Sequence, residues 1–107
     1  MYKENLQFYD ELVNQCPRFE RKGKTMPFTA ANGYMFSLFN KAGELGIRFS
    51  KQRQKEYFDT YNTSFFISYN AKMQGYILIT EEMKKDPDNL VKLLNESYEY
   101  VMSLEPK

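Results

Sequence analysis

Five cations carry most of the chemical potential of this chain. Arg18, Arg21, Lys22 and Lys24 crowd one short segment, with Phe19 inside it and Phe28 just beyond. Groups at that density can grip phosphate oxygens while an aromatic ring stacks on a base. The same segment also suits a solvated sheet edge, where lysine and proline block association between sheets. Glu20 sits inside the cluster and weakens its field. Arg48 either pairs with Glu44 or a carboxylate of the polar segment after it, or joins Lys22 and Lys24 as a further anion ligand.

Other chemistries have few residues to draw on. With no histidine, the Ser-His-Asp and Cys-His arrangements have no base. Cys16 stands alone, so a zinc cluster is not expected. Arg18 or Arg21 could activate the thiol, but Cys16 precedes Pro17 and reads as a small buried hydrophobe at a helix end. There is no P-loop and no GxGxxG after a strand. Glu81-Glu82 and the pair Asp86 and Asp88 could serve acid–base or magnesium chemistry, yet acidic residues at helix starts explain both. A catalytic pocket would need a buried carboxylate, with Glu20, Glu44 and Asp59 as candidates. The inventory predicts no enzyme, no catalytic or metal-binding residue and no cofactor.

Composition narrows the class further. Fifteen basic and fourteen acidic residues leave a net charge of +1, against a general polyanion binder. Nine Tyr and nine Phe are many for 107 residues; they suit a small aromatic core or an aromatic interface. One cysteine excludes an intramolecular disulfide and fits a reducing compartment. The charged start MYKEN breaks a signal-peptide reading, and no window has the apolar length of a membrane span. One cytoplasmic domain over residues 1–107 is expected, with a core burying roughly two thirds of the unfolded surface.

The elements that position these residues follow from periodicity and turn chemistry. Residues 3–15 predict a helix, with Leu6, Tyr9, Val13 and Cys16 on one stripe widened by Leu12. Residues 25–29 predict an edge strand, because Pro27 cannot donate to a central ladder. A turn at 30–33 leads into a hairpin: Tyr34, Phe36 and Leu38 face one way, and Met35, Ser37 and Phe39 the other. Asn40-Lys41-Ala42-Gly43 turns the chain, and Leu45, Ile47 and Phe49 share a face of the return strand. Ser50 predicts the N-cap of a polar helix anchored by Tyr57, Phe58 and Tyr61. Strands at 65–69 and 76–79 follow, joined by residues 70–75, and a helical turn begins at residue 80. Asp86-Pro87-Asp88 is the clearest helix start, and its helix runs to about Leu104 with Leu90, Leu94, Val101 and Leu104 inward. The result is an α+β fold with a mainly antiparallel five-stranded sheet packed against helices.

Two blocks carry a family resemblance. The hairpin NGYMFSLFNKAGELGIRFSK, followed by a polar helix, resembles the N-terminal domain of the competence regulator TfoX/Sxy. The stretch Gly75 to Leu90, GYILITEEMKKDPDNL, matches that family's closing strand and Asp-Pro helix start. The family's glycine-rich segment before the hairpin is replaced by Lys22-Gly23-Lys24-Thr25-Met26-Pro27-Phe28, and the helical C-terminal half of the full-length regulators has no counterpart. The resemblance implies a stand-alone α-β(3)-α-β(2)-α domain, similar to type III secretion chaperones, in which homodimers are common. It implies no catalytic residues. The leading functional expectation is a non-enzymatic regulatory or protein-interaction domain, homodimeric or with another protein partner, and with no membrane. The alternatives are a weak nucleic-acid binder using residues 18–24 and a small ligand-binding or enzymatic domain.

Overall fold

A computed structural model describes residues 2–107. Its elements are α1 (Tyr2–Asn14), β1 (Phe28–Ala31), β2 (Tyr34–Phe39), β3 (Leu45–Arg48), α2 (Lys51–Thr60), β4 (Phe65–Ser68), β5 (Ala71–Leu78) and α3 (Pro87–Met102), with a 3-10 turn at Met83–Lys85. The strands form one antiparallel sheet in the order β1-β2-β3-β5-β4. This is the expected α+β order.

Local chemistry sets the helix starts. Ser50 Oγ accepts from Arg53 N at 3.2 Å, and Asp86 Oδ1 accepts from Asn89 N at 3.3 Å with Pro87 opening the helix. All three helices pack on one sheet face. Tyr9, Leu12 and Val13 of α1, Tyr57 of α2 and Leu90, Leu93 and Leu94 of α3 meet Leu45, Ile47 and Ile77 there. The opposite face has a smaller core of its own, Leu38, Phe66 and Tyr76, flanked by Met26, Phe28, Met35, Met73 and Leu78.

Four details depart from the sequence reading. The edge strand begins at Phe28 rather than residue 25. Pro27 precedes it and only accepts, from Phe39 N at 2.8 Å, while Lys22 and Phe28 exchange backbone bonds of 2.7 and 2.9 Å. Ala30 and Ala31 belong to the strand, because Asn32 and Gly33 alone, both at positive φ, make the turn. Residues 71–75 are strand rather than connector. Tyr69 and Asn70 both take the left-handed conformation (φ 55° and 60°) and close β4–β5 in two residues. Finally, a bulge opposite Thr29 and Ala30 breaks the alternation of β2. Ser37 bonds Tyr9 on the helix side, and Phe36 packs there too against Tyr98 of α3.

Candidate functional site

The predicted cationic cluster does not assemble as one site. Arg21 is docked on α1: its Nε and Nη2 donate to the two Asp10 oxygens at 2.8 and 3.2 Å, and Nη1 donates to Gly23 O at 2.7 Å. Arg18 is docked on α3, where it pairs with Glu99, donates to Asn95 Oδ1 at 3.0 Å and lies 4.6 Å over the Tyr98 ring. Each of these arginines is held further in its charged form by its carboxylate partner. Lys22 and Lys24 are exposed beside them. Phe19 stands edge-on to Phe36 at 4.9 Å and stacks on Tyr98 at 5.4 Å, so its ring serves packing.

Arg48 lies elsewhere. It lines a depression with Lys51, Gln54 and Tyr100, whereas Arg18 and Lys22 line another with Glu20 and Tyr98. It makes no ion pair among the described residues; its guanidinium sits 5.4 Å from the Tyr34 ring and 5.8 Å from that of Tyr100. The expected pairing with Glu44 fails on distance, since four residues of strand span about 13 Å. Glu56 of α2 is already bonded to Arg53.

The carboxylates are structural or exposed. Asp86 caps α3, Glu81 pairs with Lys84 at 2.8 Å, and Glu82 pairs with Lys85 at 3.1 Å. Glu20, Glu44 and Asp59 are all exposed, which removes the buried acid that a catalytic pocket was expected to use. Cys16 is buried and its thiol is pushed up by desolvation, the opposite of an activated nucleophile. No cluster of three or more metal-ligating side chains occurs among the described residues.

Two features escaped the sequence. Glu96 of α3 joins α2 to α3 by accepting from Tyr57 Oη at 2.6 Å and Arg53 Nε at 3.1 Å. Glu96 lies 39 residues from Tyr57 in sequence, so no local pattern links the two. The second feature is the edge strand β4. Phe65, Ile67 and the adjoining Tyr69 are 36%, 53% and 69% exposed, three of the five large hydrophobics most exposed among the described residues. Phe65 and Ile67 alternate with the buried Phe66 and Ser68 along β4, and Tyr69 follows them at the left-handed turn that ends the strand. Asn40, in the β2–β3 turn, reaches this edge: its Nδ2 donates to Ile67 O at 3.0 Å and to Glu44 Oε1 at 3.1 Å, while its Oδ1 accepts from Glu44 N at 2.9 Å.

No family model matches the chain, and no curated protein matches it in sequence. No helix among the described residues is long and apolar enough to cross a membrane.

Proposed function

We propose that the chain is a non-enzymatic regulatory or adaptor domain that pairs with a second copy of itself through the β4 strip. The observation that carries this reading is the exposure of Phe65, Ile67 and Tyr69 on an edge strand with neither proline nor lysine in it. One end of the other edge is taken, because Lys22 pairs with Phe28 at the start of β1. Asn40 occupies the Ile67 carbonyl, so the strip joins through side chains rather than by adding a strand. An isologous contact places each copy's strip on the other's. The resemblance to the TfoX/Sxy N-terminal domain points the same way, though a role in competence does not follow from a shared fold. A buried free thiol suits the cytoplasm. Nucleic-acid binding through residues 18–24 is the weaker reading, because two of the four cations there, Arg18 and Arg21, are held by carboxylates.

Light scattering at tens of micromolar is expected to give twice the chain mass, for an interface above roughly 1,000 Å². Ile67→Asp, which forces a carboxylate into an apolar contact, is expected to weaken pairing at least about tenfold. A monomeric wild type, or an Ile67→Asp dimer of unchanged affinity, rules out this interface.

A further inference from the structure

Arg48 is the one arginine without an acid. Arg18 pairs with Glu99, Arg21 with Asp10, and Arg53 with Glu56 and Glu96, whereas Arg48 has no carboxylate partner among the described residues. The side chain is nonetheless held in place. Its stem lies against β5 at Gly75, where a Cβ would come within 3.2 Å of Arg48 Cγ and 3.5 Å of its Nε. Glycine there, at φ 85°, keeps that path open. The rings of Tyr34 and Tyr100 flank the guanidinium at 5.4 and 5.8 Å. Packing rather than a counter-ion therefore orders this half-buried charge, and its planar fork of N–H donors is left for an acceptor from outside.

The lining of the depression defines what would fit. Its volume is about 190 Å³, below the range of about 300–1,000 Å³ that holds a whole drug-sized ligand, so it suits a compact head group. Lys51, which opens α2, shares the lining, and no carboxylate does among the described residues. Gln54 already donates its Nε2 to Tyr76 O at 2.9 Å, while the exposed Gln74 adds a neutral donor. Two positive charges at so small a site match a tetrahedral dianion better than a single carboxylate, with the guanidinium taking two oxygens and the ammonium a third. A nucleic-acid strand would need cations spaced along its backbone, yet Arg18 and Lys22 line a separate depression. We propose that the Arg48 depression binds the phosphoryl group of a small phosphorylated molecule, held by Arg48 and Lys51. This goes beyond the pairing of β4 strips, and none of Phe65, Ile67 and Tyr69 lines the depression.

The test is a heteronuclear NMR titration of the full chain with inorganic phosphate, replacing chloride at constant ionic strength. Phosphate is expected to shift the amides of residues 48–51, 74–75 and 100, saturating with a Kd of about 1–10 mM, as so small an anion allows. Arg48→Gln is expected to weaken binding at least about tenfold, the worth of hydrogen bonds to a charged group. Lys51→Gln is expected to weaken it about two- to fivefold, the worth of an exposed ion pair. Lys51 is exposed, so this second variant keeps the test valid if Arg48→Gln fails to fold. Acetate should bind more weakly than phosphate, and Lys22→Gln should bind phosphate as wild type does. Absence of saturable shifts at these residues, equal shifts around Lys22 and Lys24, or an unchanged Kd in Lys51→Gln and Arg48→Gln overturns the proposal. A short oligothymidylate that displaces phosphate from these residues at lower phosphate concentration assigns the depression to nucleic acid and overturns it too. Ile67→Asp is expected to bind phosphate as wild type does, which keeps a failure of this site distinct from a failure of dimerisation.

Discussion

Gly46→Ala is expected to lower the free energy of unfolding by about 3 kcal/mol or more, the upper range for overpacking, in a domain with about 5–15 kcal/mol in all. Gly46 lies mid-sheet, opposite Leu38 on one side and Leu78 on the other. Its neighbours Leu45 and Ile47 face the helices, so its own vacant side faces the second core. Phe66 fills that space. A Cβ on Gly46 would lie under 3.0 Å from three atoms of the Phe66 ring, closer than real Cβ contacts come. Phe66 is fully buried among Leu38 and Tyr76, so the ring has no free space to move into. Urea titration of a double-mutant cycle checks the cause. Phe66→Ala alone should cost about 3–5 kcal/mol, but in that background Gly46→Ala should cost under about 1 kcal/mol. The same penalty in both backgrounds would show that the ring is not the obstacle.

Above pH 10 the fold is expected to lose about 4 kcal/mol of stability per pH unit, from three tyrosines each contributing about 1.4. Burial pushes the Tyr9 and Tyr76 hydroxyls well above their ordinary value of 10.0. Burial, reinforced by the Glu96 carboxylate, pushes Tyr57 up to about 12. Each hydroxyl is satisfied only as a donor or within a closed network: Tyr76 Oη donates to Met35 O at 2.9 Å, and Tyr9 shares a 2.6 Å bond with Ser37. The unfolded chain ionises near pH 10 while the folded chain holds its protons. The stabilisation is therefore complete below pH 10 and is lost as pH rises towards the folded values. Cys16, raised by burial from 9.0, acts in the same sense from slightly lower pH. Urea midpoints measured from about pH 8 to about pH 11.5, alongside tyrosinate absorbance, read the slope. Tyr9→Phe should remove about a third of it. A midpoint that stays flat across this range contradicts the assignment.

Much of this fold was legible because its signals are local. Ser50 and Asp86-Pro87 announce their helices, and Leu6, Tyr9, Leu12 and Val13 announce the buried side of α1. What stayed hidden depends on partners distant in sequence. The Phe36 side chain follows from a bulge that forms only against β1. Tyr69 is an unusual residue for a left-handed turn position, so nothing local in the sequence marks the closure of β4 onto β5 there. The cationic segment 18–24 was visible as a run of charge, but its neutralisation by Asp10 and Glu99 depends on how α1 and α3 pack.

The strand order has a kinetic side. β1, β2 and β3 are joined by short turns, and so are β4 and β5, but these two sets share a strand-to-strand ladder only where β3 pairs with β5 across the looped-out α2. Phe49 N to Gly75 O and Ile79 N to Leu45 O, both 2.9 Å, extend that seam at its two ends. Gln54 Nε2, bonded to Tyr76 O at 2.9 Å, ties the intervening helix onto it. The entropy of closing that loop must be met before the seam returns any contact energy. Each half can form its own turns early, and uniting them is the non-local event. Ile47, Ile77 and Gln54 therefore stand where the speed of folding is decided, as well as where the finished sheet is held.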